Sequence, residues 1–277
     1  MAEKTKNKPD KKEAGPNGRD AFGKKEPGPA PAGAVVDQTQ KKMLNFQLAV
    51  VSMKGDLKAA ESLLDAGADV DSDVKWGMTP LMFASAEGHM DLMRLFLERG
   101  ADVNKCDPHN RNALLYSVAY EYKENSPAEA EAHRGRVELL IGHNADPLSK
   151  DGEGKNAVSI AALNGHAALV RFLAEKGVPV NECDMHGIPP LAYASGKGHV
   201  ETVEALVEKG ADVNFQSLNG KTAIIIAVLA DKPDVVRKLL DLCADPNLSD
   251  SEGNALDYAM GHGREGILKI LAESTRS

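Results

Sequence analysis

Apolar residues recur at helical spacing in short blocks along most of the chain, and glycine separates the blocks. In one block Leu92, Leu95 and Phe96 fall on a single stripe of a helix over about 90–98. A shorter helix precedes it, because Thr79 can cap a helix whose first residue, a proline, has no N–H to lose. The spacing therefore predicts pairs of helices, each pair too short to fold alone.

The helix pairs repeat with a regular period. The marker is the sequence Gly-Ala-Asp-Val and its looser variants, which begin at Gly67, Gly100, Asn144, Gly177, Gly210 and Cys243. The third residues of successive copies are separated by 33, 44, 33, 33 and 33 residues. One unit therefore carries eleven extra residues, which lie within 121–131. A register kept over so many residues indicates a protein built from stacked repeats.

This repeat resembles the ankyrin repeat. The second unit carries the resemblance most fully, with Gly-Met-Thr-Pro-Leu from Gly77 and Gly-Ala-Asp-Val-Asn from Gly100. The histidine that the family places after Thr-Pro-Leu is missing, and Met82 stands there. The resemblance covers residues 43–277. It implies an all-α repeat solenoid, an ankyrin-repeat stack with β-hairpin fingers between its units.

Substitutions at the repeat positions preserve the local conformation in most units. Asn110 and Asn144 replace glycine, and asparagine also tolerates a positive φ. Asn112 replaces the capping threonine and keeps a side-chain acceptor. Two positions break the rule, because Pro189 has no such acceptor and Cys243 is a poor residue for a left-handed position.

Residues 1–42 differ from the rest in composition. They contain ten Lys or Arg, six Asp or Glu, five Pro and five Gly, with few strongly apolar residues. Such a segment buries too little surface to offset the entropy of ordering, so we predict a disordered basic tail rich in Pro, Gly and Lys. Its lysine pairs are either simply solvated or a weak electrostatic anchor to an acidic surface.

Residues 43–277 are the predicted ankyrin-repeat domain of seven stacked units. The first unit lacks the Gly-x-Thr-Pro start and the last ends in polar residues, as expected of caps. The domain holds 23 Lys or Arg against 35 Asp or Glu, a net charge of −12. The units span about 43–73, 74–106, 107–150, 151–183, 184–216, 217–249 and 250–277.

The sequence carries no catalytic motif that we recognise. The chain lacks C-x-x-C, His-Glu-x-x-His and Gly-x-Ser-x-Gly, and Phe215 stands where a phosphate-binding loop ending at Thr222 would need glycine. We therefore predict no enzymatic activity, no cofactor and no small-molecule substrate. An acidic domain repels phosphate, so nucleic acid is not expected to bind. No stretch of 18 apolar residues exists, so no membrane insertion is expected.

Two residue types could have indicated a metal or disulfide site. Stacked helices lie about 8–10 Å apart, so we expect histidines at one repeat position to hydrogen-bond within the scaffold and not to share a metal. Three scattered cysteines make no disulfide framework and favour a reducing compartment, so we predict a cytoplasmic protein. The histidines are His89, His133, His166 and His199.

The resemblance implies that a protein partner binds at the finger tips and at the exposed ends of the first helices, a concave strip. Trp76, Met78 and Tyr120 are the main candidates, because large aromatic residues dominate binding hot spots. Alternatively, the indole of Trp76, the only tryptophan, merely folds over a neighbouring apolar surface. Transferring the family positions predicts protein-binding residues at Lys75, Trp76, Met78, Glu87, His109, Arg111, Tyr120, Lys155, Met185, His186, Ile188, Phe215, Leu218 and Lys221.

Acidic residues are frequent in the fingers and predict a partner with a basic segment. They are Asp71, Asp73, Asp107, Asp151, Glu153, Glu182, Asp184, Asp250 and Glu252. The function that fits is a non-catalytic scaffold or adaptor. Two alternatives remain open: a structural subunit of a cytoskeletal or axonemal assembly, and an inhibitor that docks on a partner enzyme.

Two further features are specific to single units. The insertion within 121–131 is either neutral, since surface insertions cost little, or a second contact site around Tyr122. Asn214 lies in Leu-Val-Glu-Lys-Gly-Ala-Asp-Val-Asn, which resembles the pattern that asparaginyl hydroxylases modify in ankyrin-like fingers. The resemblance therefore predicts Asn214 as a modification site.

Overall fold

The computed structural model describes residues 37–73, 76–120 and 127–274. Most of the predicted tail, Lys75 and the first part of the insertion, including Tyr122, lie outside these residues. Fourteen α-helices and no strand occur in the described ranges. The helices are α1 Gln38–Lys54, α2 Leu57–Asp65, α3 Pro80–Ala86, α4 Met90–Glu98, α5 Ala113–Ala119, α6 Pro127–Gly142, α7 Ala157–Asn164, α8 Ala167–Glu175, α9 Pro190–Lys197, α10 Val200–Glu208, α11 Ala223–Leu229, α12 Pro233–Asp241, α13 Ala255–Gly261 and α14 Glu265–Ser274.

The helices form two layers. The odd-numbered first helices pack on one another from α1 to α13, and the even-numbered second helices form the other layer. Small and aliphatic side chains fill the space between the layers, and Leu81, Leu114 and Leu173 are fully buried. This alternation of two helix layers is the all-α repeat solenoid that the 33-residue register predicted.

The helix starts confirm the capping residues read from the sequence. The side chains of Thr79 and Asn112 accept hydrogen bonds from backbone N–H groups three residues on, at 3.2 and 3.0 Å. Asn156 does the same in α7, whereas Pro189 provides no side-chain cap for α9. Cys243 adopts the left-handed conformation that its position requires, with φ +65°.

Two boundaries differ from the prediction. Helix α1 begins at Gln38, so residues 38–42, which we had assigned to the tail, are helical. A contact between Lys41 and Asp69 at 3.9 Å joins this first turn to the domain. Helix α6 begins at Pro127, because proline suits a first helical turn and the following Ala and Glu residues favour helix. Residues 127–131 of the insertion therefore lengthen the second helix of the third unit.

Candidate protein-binding face

Hairpin turns connect successive units and form one row, which we call the finger face together with the first-helix residues beside it. A backbone hydrogen bond closes the turns from the second finger onward, as from Asp107 N–H to Arg111 O at 2.9 Å and from Asp184 N–H to Ile188 O at 3.2 Å. An isolated antiparallel bridge joins Lys150 and Asn156. The predicted β-hairpins are thus closed turns without a regular strand in the described residues.

The tips of neighbouring fingers pack closely on glycine. A Cβ atom on Gly187 would lie 2.2 Å from Cγ of Leu218 in the next finger. A Cβ on Gly77 would lie 2.4 Å from Cδ of Pro108. Both glycines also have positive φ. Glycine is therefore required at this repeat position for two reasons: its positive φ and the close approach of the following finger tip.

Apolar side chains project from several tips into solvent. Trp76 is 64% exposed, Leu218 is 79% exposed, and Met185, on the finger just before that of Leu218, is also exposed. The Trp76 ring also lies 6.2 Å from the buried Phe83 ring of α3, at an angle of 56°. The indole thus covers part of Phe83 and still presents most of its own surface.

The structure corrects the prediction for Met78. Its side chain is only 8% exposed, because the chain turns inward at this position to start α3. Met78 belongs to the hydrophobic core and does not present a contact surface. Tyr120 is half-buried, with the Arg136 guanidinium 4.5 Å from its ring centroid and the His133 ring edge-on at 5.8 Å. Tyr120 therefore packs within the third unit and offers only part of its surface.

An open groove of about 610 Å³ lies between the second finger, at His109, and the third finger, at Glu153. It brings together three predicted residues, His109, Arg111 and Lys155. Arg111 pairs with Asp107 at 3.2 Å, and Lys155 pairs with Glu153. The groove is therefore polar and internally neutralised.

Other predicted residues lie along the same row. Glu87 and His186 are exposed, and Ile188 and Phe215 are half-buried. Lys221 is hydrogen-bonded to the last finger. Lys221 Nζ donates to Asp250 at 2.6 Å and to the Tyr258 hydroxyl at 2.7 Å. These hydrogen bonds raise the pKa of Lys221 above its ordinary value.

Most finger acids hold the fingers together. Asp107 accepts backbone N–H groups of His109 and Arg111 at 2.8 Å each, and the Tyr116 hydroxyl at 2.6 Å. Burial raises the pKa of Asp107, but these hydrogen bonds outweigh it and leave that pKa below the ordinary value. Asp184 repeats the arrangement with Tyr193. These two carboxylates are already hydrogen-bonded within the chain. Of the nine finger acids, only Asp73, Glu153 and Glu252 are exposed.

Tyr116 and Tyr193 are residues of the finger face that the sequence reading missed. Each lies on a first helix, half-buried, with its hydroxyl bound to the finger aspartate nine residues earlier. Burial and, as the second cause, the hydrogen bond to aspartate raise the pKa of each tyrosine well above its ordinary value. The signal was available, because an Asp-x₈-Tyr spacing occurs in both units. The pairs fix the finger against the helix and give the face a rigid floor.

Asn214 serves as a link between units. Its Oδ1 accepts the backbone N–H of Asp245 in the next unit at 2.8 Å, and its own N–H donates to Asp212 at 3.0 Å. Asn104 and Asn181 make the corresponding bonds to their following units. The side chain is half-buried in this role, so modification at Asn214 stays a prediction.

The repeat-position histidines hydrogen-bond within the scaffold, as expected: His133 within its own unit, and His89, His166 and His199 to the preceding unit. Nε2 of His133 lies 2.6 Å from Ser117 O, and Nε2 of His166 lies 3.1 Å from Tyr120 O. The distance argument was wrong for this pair, because the two rings touch edge-on with centroids 4.8 Å apart. Adjacent helices bring long side chains closer than their axes. No group of three or more potential metal ligands occurs in the described ranges.

Comparison with known proteins identifies the family and its relatives. The family model described as ankyrin repeats (3 copies) matches residues 48–125, 128–217 and 210–277. The ankyrin repeat, SAM and basic leucine zipper domain-containing protein 1 of Dasypus novemcinctus is 33% identical over 139 residues, which is 50% of this chain and 27% of that protein. Its Mus musculus counterpart is 32% identical over 116 residues, which is 42% of this chain and 23% of that protein.

A solved structure shares the fold. The crystal structure of the human ASB11 ankyrin repeat domain matches with a TM-score of 0.71 at 22% identity, over 82% of this chain and 96% of that one. The chain spans about a quarter of the length of the curated relatives named above. No helix in the described residues is long and apolar enough to cross a membrane. With family matches over most of its length, the chain belongs to the ankyrin-repeat family, whose repeats are protein–protein interaction modules and typically non-catalytic.

Proposed function

We propose that this chain is a non-catalytic adaptor or scaffold of the cytoplasm that binds a protein partner through its finger face. The observation that carries the proposal is the set of exposed apolar tips, Trp76, Met185 and Leu218, of which the last two lie on turns closed by backbone hydrogen bonds. Large apolar side chains held in place lose little entropy on binding, so they suit the centre of an interface.

The partner that we propose presents an apolar anchor followed by a basic segment. Apolar tips call for an apolar group, and the net charge of −12 over residues 43–277 attracts a positive one. The basic requirement rests on this overall charge and on Asp73, since Glu153 pairs with Lys155, Glu252 accepts the Tyr258 hydroxyl, and the remaining finger acids are wholly or partly covered. Charge of this kind chiefly raises the association rate, so binding should weaken and slow as salt increases.

The single tryptophan allows a direct test. Partners are captured quantitatively with the wild type, Trp76→Ala and Leu148→Ala, where Leu148 is an exposed leucine at the base of a finger. We expect the partner to be lost with Trp76→Ala and retained with Leu148→Ala. Circular dichroism and thermal melting establish that both variants are folded. Equal capture by all three proteins would contradict the proposal.

A titration then locates the contact. Because Trp76 is the only tryptophan, its fluorescence reports on the first finger alone. Adding the purified partner should shift the emission of the wild type to shorter wavelength as the indole leaves water. An unchanged spectrum with a partner that binds would place the interface elsewhere. An adaptor should also exchange partners in solution, whereas a cytoskeletal or axonemal subunit should sediment with salt-resistant filaments.

A further inference from the structure

The last unit exposes apolar side chains at positions that every earlier unit buries. Leu256 and Met260 of α13 are 42% and 56% exposed, and Leu268 of α14 is half-buried. The register aligns Leu256 with residues that are no more than 2% exposed in the earlier first helices. These are Leu81, Leu114, Val158, Leu191 and Ile224.

The other two positions follow the same rule. Met260 aligns with residues of the earlier first helices that are 0% exposed, namely Ser85, Val118, Ala162, Ser195 and Val228. Leu268 aligns with residues of the earlier second helices that are also 0% exposed, namely Met93, Val137, Val170, Val203 and Val236. In each earlier unit the following unit provides the cover. Helices α11 and α14 pack on α13, and the side bearing these three residues, the C-terminal face, stays open in the described part of the chain.

The first unit exposes apolar residues at the opposite end of the helix row. Met43 and Phe46 of α1 are both more than half exposed. We call this surface the N-terminal face. Both exposed surfaces resemble the apolar sides that stacked units bury against each other, and differ from the polar outer side of a capping repeat.

The helices that bear the two faces differ in charge. Helix α1 contains three lysines, Lys41, Lys42 and Lys54, and no acidic residue. Helices α13 and α14 contain Asp257, Glu265 and Glu273 against a single lysine. A basic end and an acidic end attract each other, whereas two like ends repel.

We propose that the C-terminal face of one copy binds the N-terminal face of a second copy, head to tail. First helices pack on first helices throughout the chain, so α1 of the second copy would continue the row beyond α13. Leu256, Met260 and Leu268 would then regain the cover that their equivalents have. The contact joins two different surfaces, so it leaves one free face at each end and can extend to longer assemblies.

The experiment measures mass against concentration by light scattering and sedimentation. The wild type should form dimers and longer species as its concentration rises. The variant Leu256→Lys/Met260→Lys places positive charge against α1, and Met43→Glu/Phe46→Glu places negative charge against α13. Each variant alone should be monomeric. The control Met185→Lys/Leu218→Lys, which alters exposed residues of the finger face, should associate like the wild type.

Mixing the two face variants gives the decisive result. Each variant retains the face that the other has lost, so the mixture should form a one-to-one dimer that cannot grow. Four outcomes would overturn the proposal: a wild type that is monomeric at every concentration, a face variant that still self-associates, a mixture without dimer, and loss of association in the finger-face control. All substituted residues are exposed, and circular dichroism establishes that the folds are equal. Partner capture plays no part in the readout, so the result is independent of the proposed adaptor function.

Discussion

The buried histidine pair predicts that this protein loses stability as the pH falls below neutral. His133 and His166 are 0% and 1% exposed, and burial lowers the pKa of each to about 4 from 6.5. In the unfolded chain each ring takes up a proton near its ordinary pKa of about 6.5. Between about pH 4 and pH 6.5 the unfolded state therefore holds more protons than the folded state. Stability falls with falling pH across that window.

The size of the effect follows from the same pKa values. Between about pH 7.5 and about pH 5.5, each buried histidine reduces the free energy of unfolding by about 1.3 kcal/mol. The two rings together account for about 2.6 kcal/mol. Domains of ordinary stability have about 5–15 kcal/mol, so the loss is a substantial fraction. His199, whose pKa burial also lowers, adds to the effect in the same direction.

Urea unfolding at a series of pH values, followed by circular dichroism, measures the effect. The double variant His133→Asn/His166→Asn should be less stable at neutral pH, but its stability should depend much less on pH. The exposed histidines provide the control, because His109→Gln/His186→Gln should keep the wild-type pH dependence. A wild-type free energy of unfolding that changes by less than about 0.5 kcal/mol over this range would refute the reasoning.

Four further substitutions, in three tests, probe the local structure by urea unfolding. Cys243→Gly should stabilise the protein by about 1 kcal/mol, because Cys243 is exposed and has φ +65°; no gain would show that the conformation carries no strain. Gly77→Ala should destabilise more than Gly100→Ala, because only Gly77 faces the rigid ring of Pro108; equal losses would contradict the close approach. Asp250→Asn should cost about 1–3 kcal/mol, because it leaves a lysine without its charged partner; an unchanged midpoint would refute that role.

Local conformation could be read from the sequence because it depends on residues close together in the chain. Asn112 caps its helix through the N–H group three residues on, and Asn110 needs only its own φ to be positive. Both properties belong to asparagine as a residue type. The 33-residue register then placed the remaining caps and turns without any knowledge of contacts between units.

Contacts between side chains could not be read in the same way. The burial of Met78 depends on how the chain turns into α3, and the contact of His133 with His166 depends on side chains that reach across two units. The finger acids look free in a charge count, although the Asp-x₈-Tyr spacing was available as a signal that Asp107 is bound by a helix tyrosine. A charge count overestimates the available acids for this reason, and the partner's basic character rests on fewer groups than the sequence indicates.

The backbone at Trp76 bears on the choice between binding and packing. Trp76 has φ +54°, whereas His109 and His186 at the same finger position do not have positive φ. A non-glycine residue in this region costs about 1–2 kcal/mol. The indole contacts the Phe83 ring and nevertheless remains 64% exposed. Residues held in sparsely populated backbone conformations cluster at functional sites. The positive φ and the exposed indole are together the reason to propose a binding role for Trp76, which the capture experiment with Trp76→Ala tests.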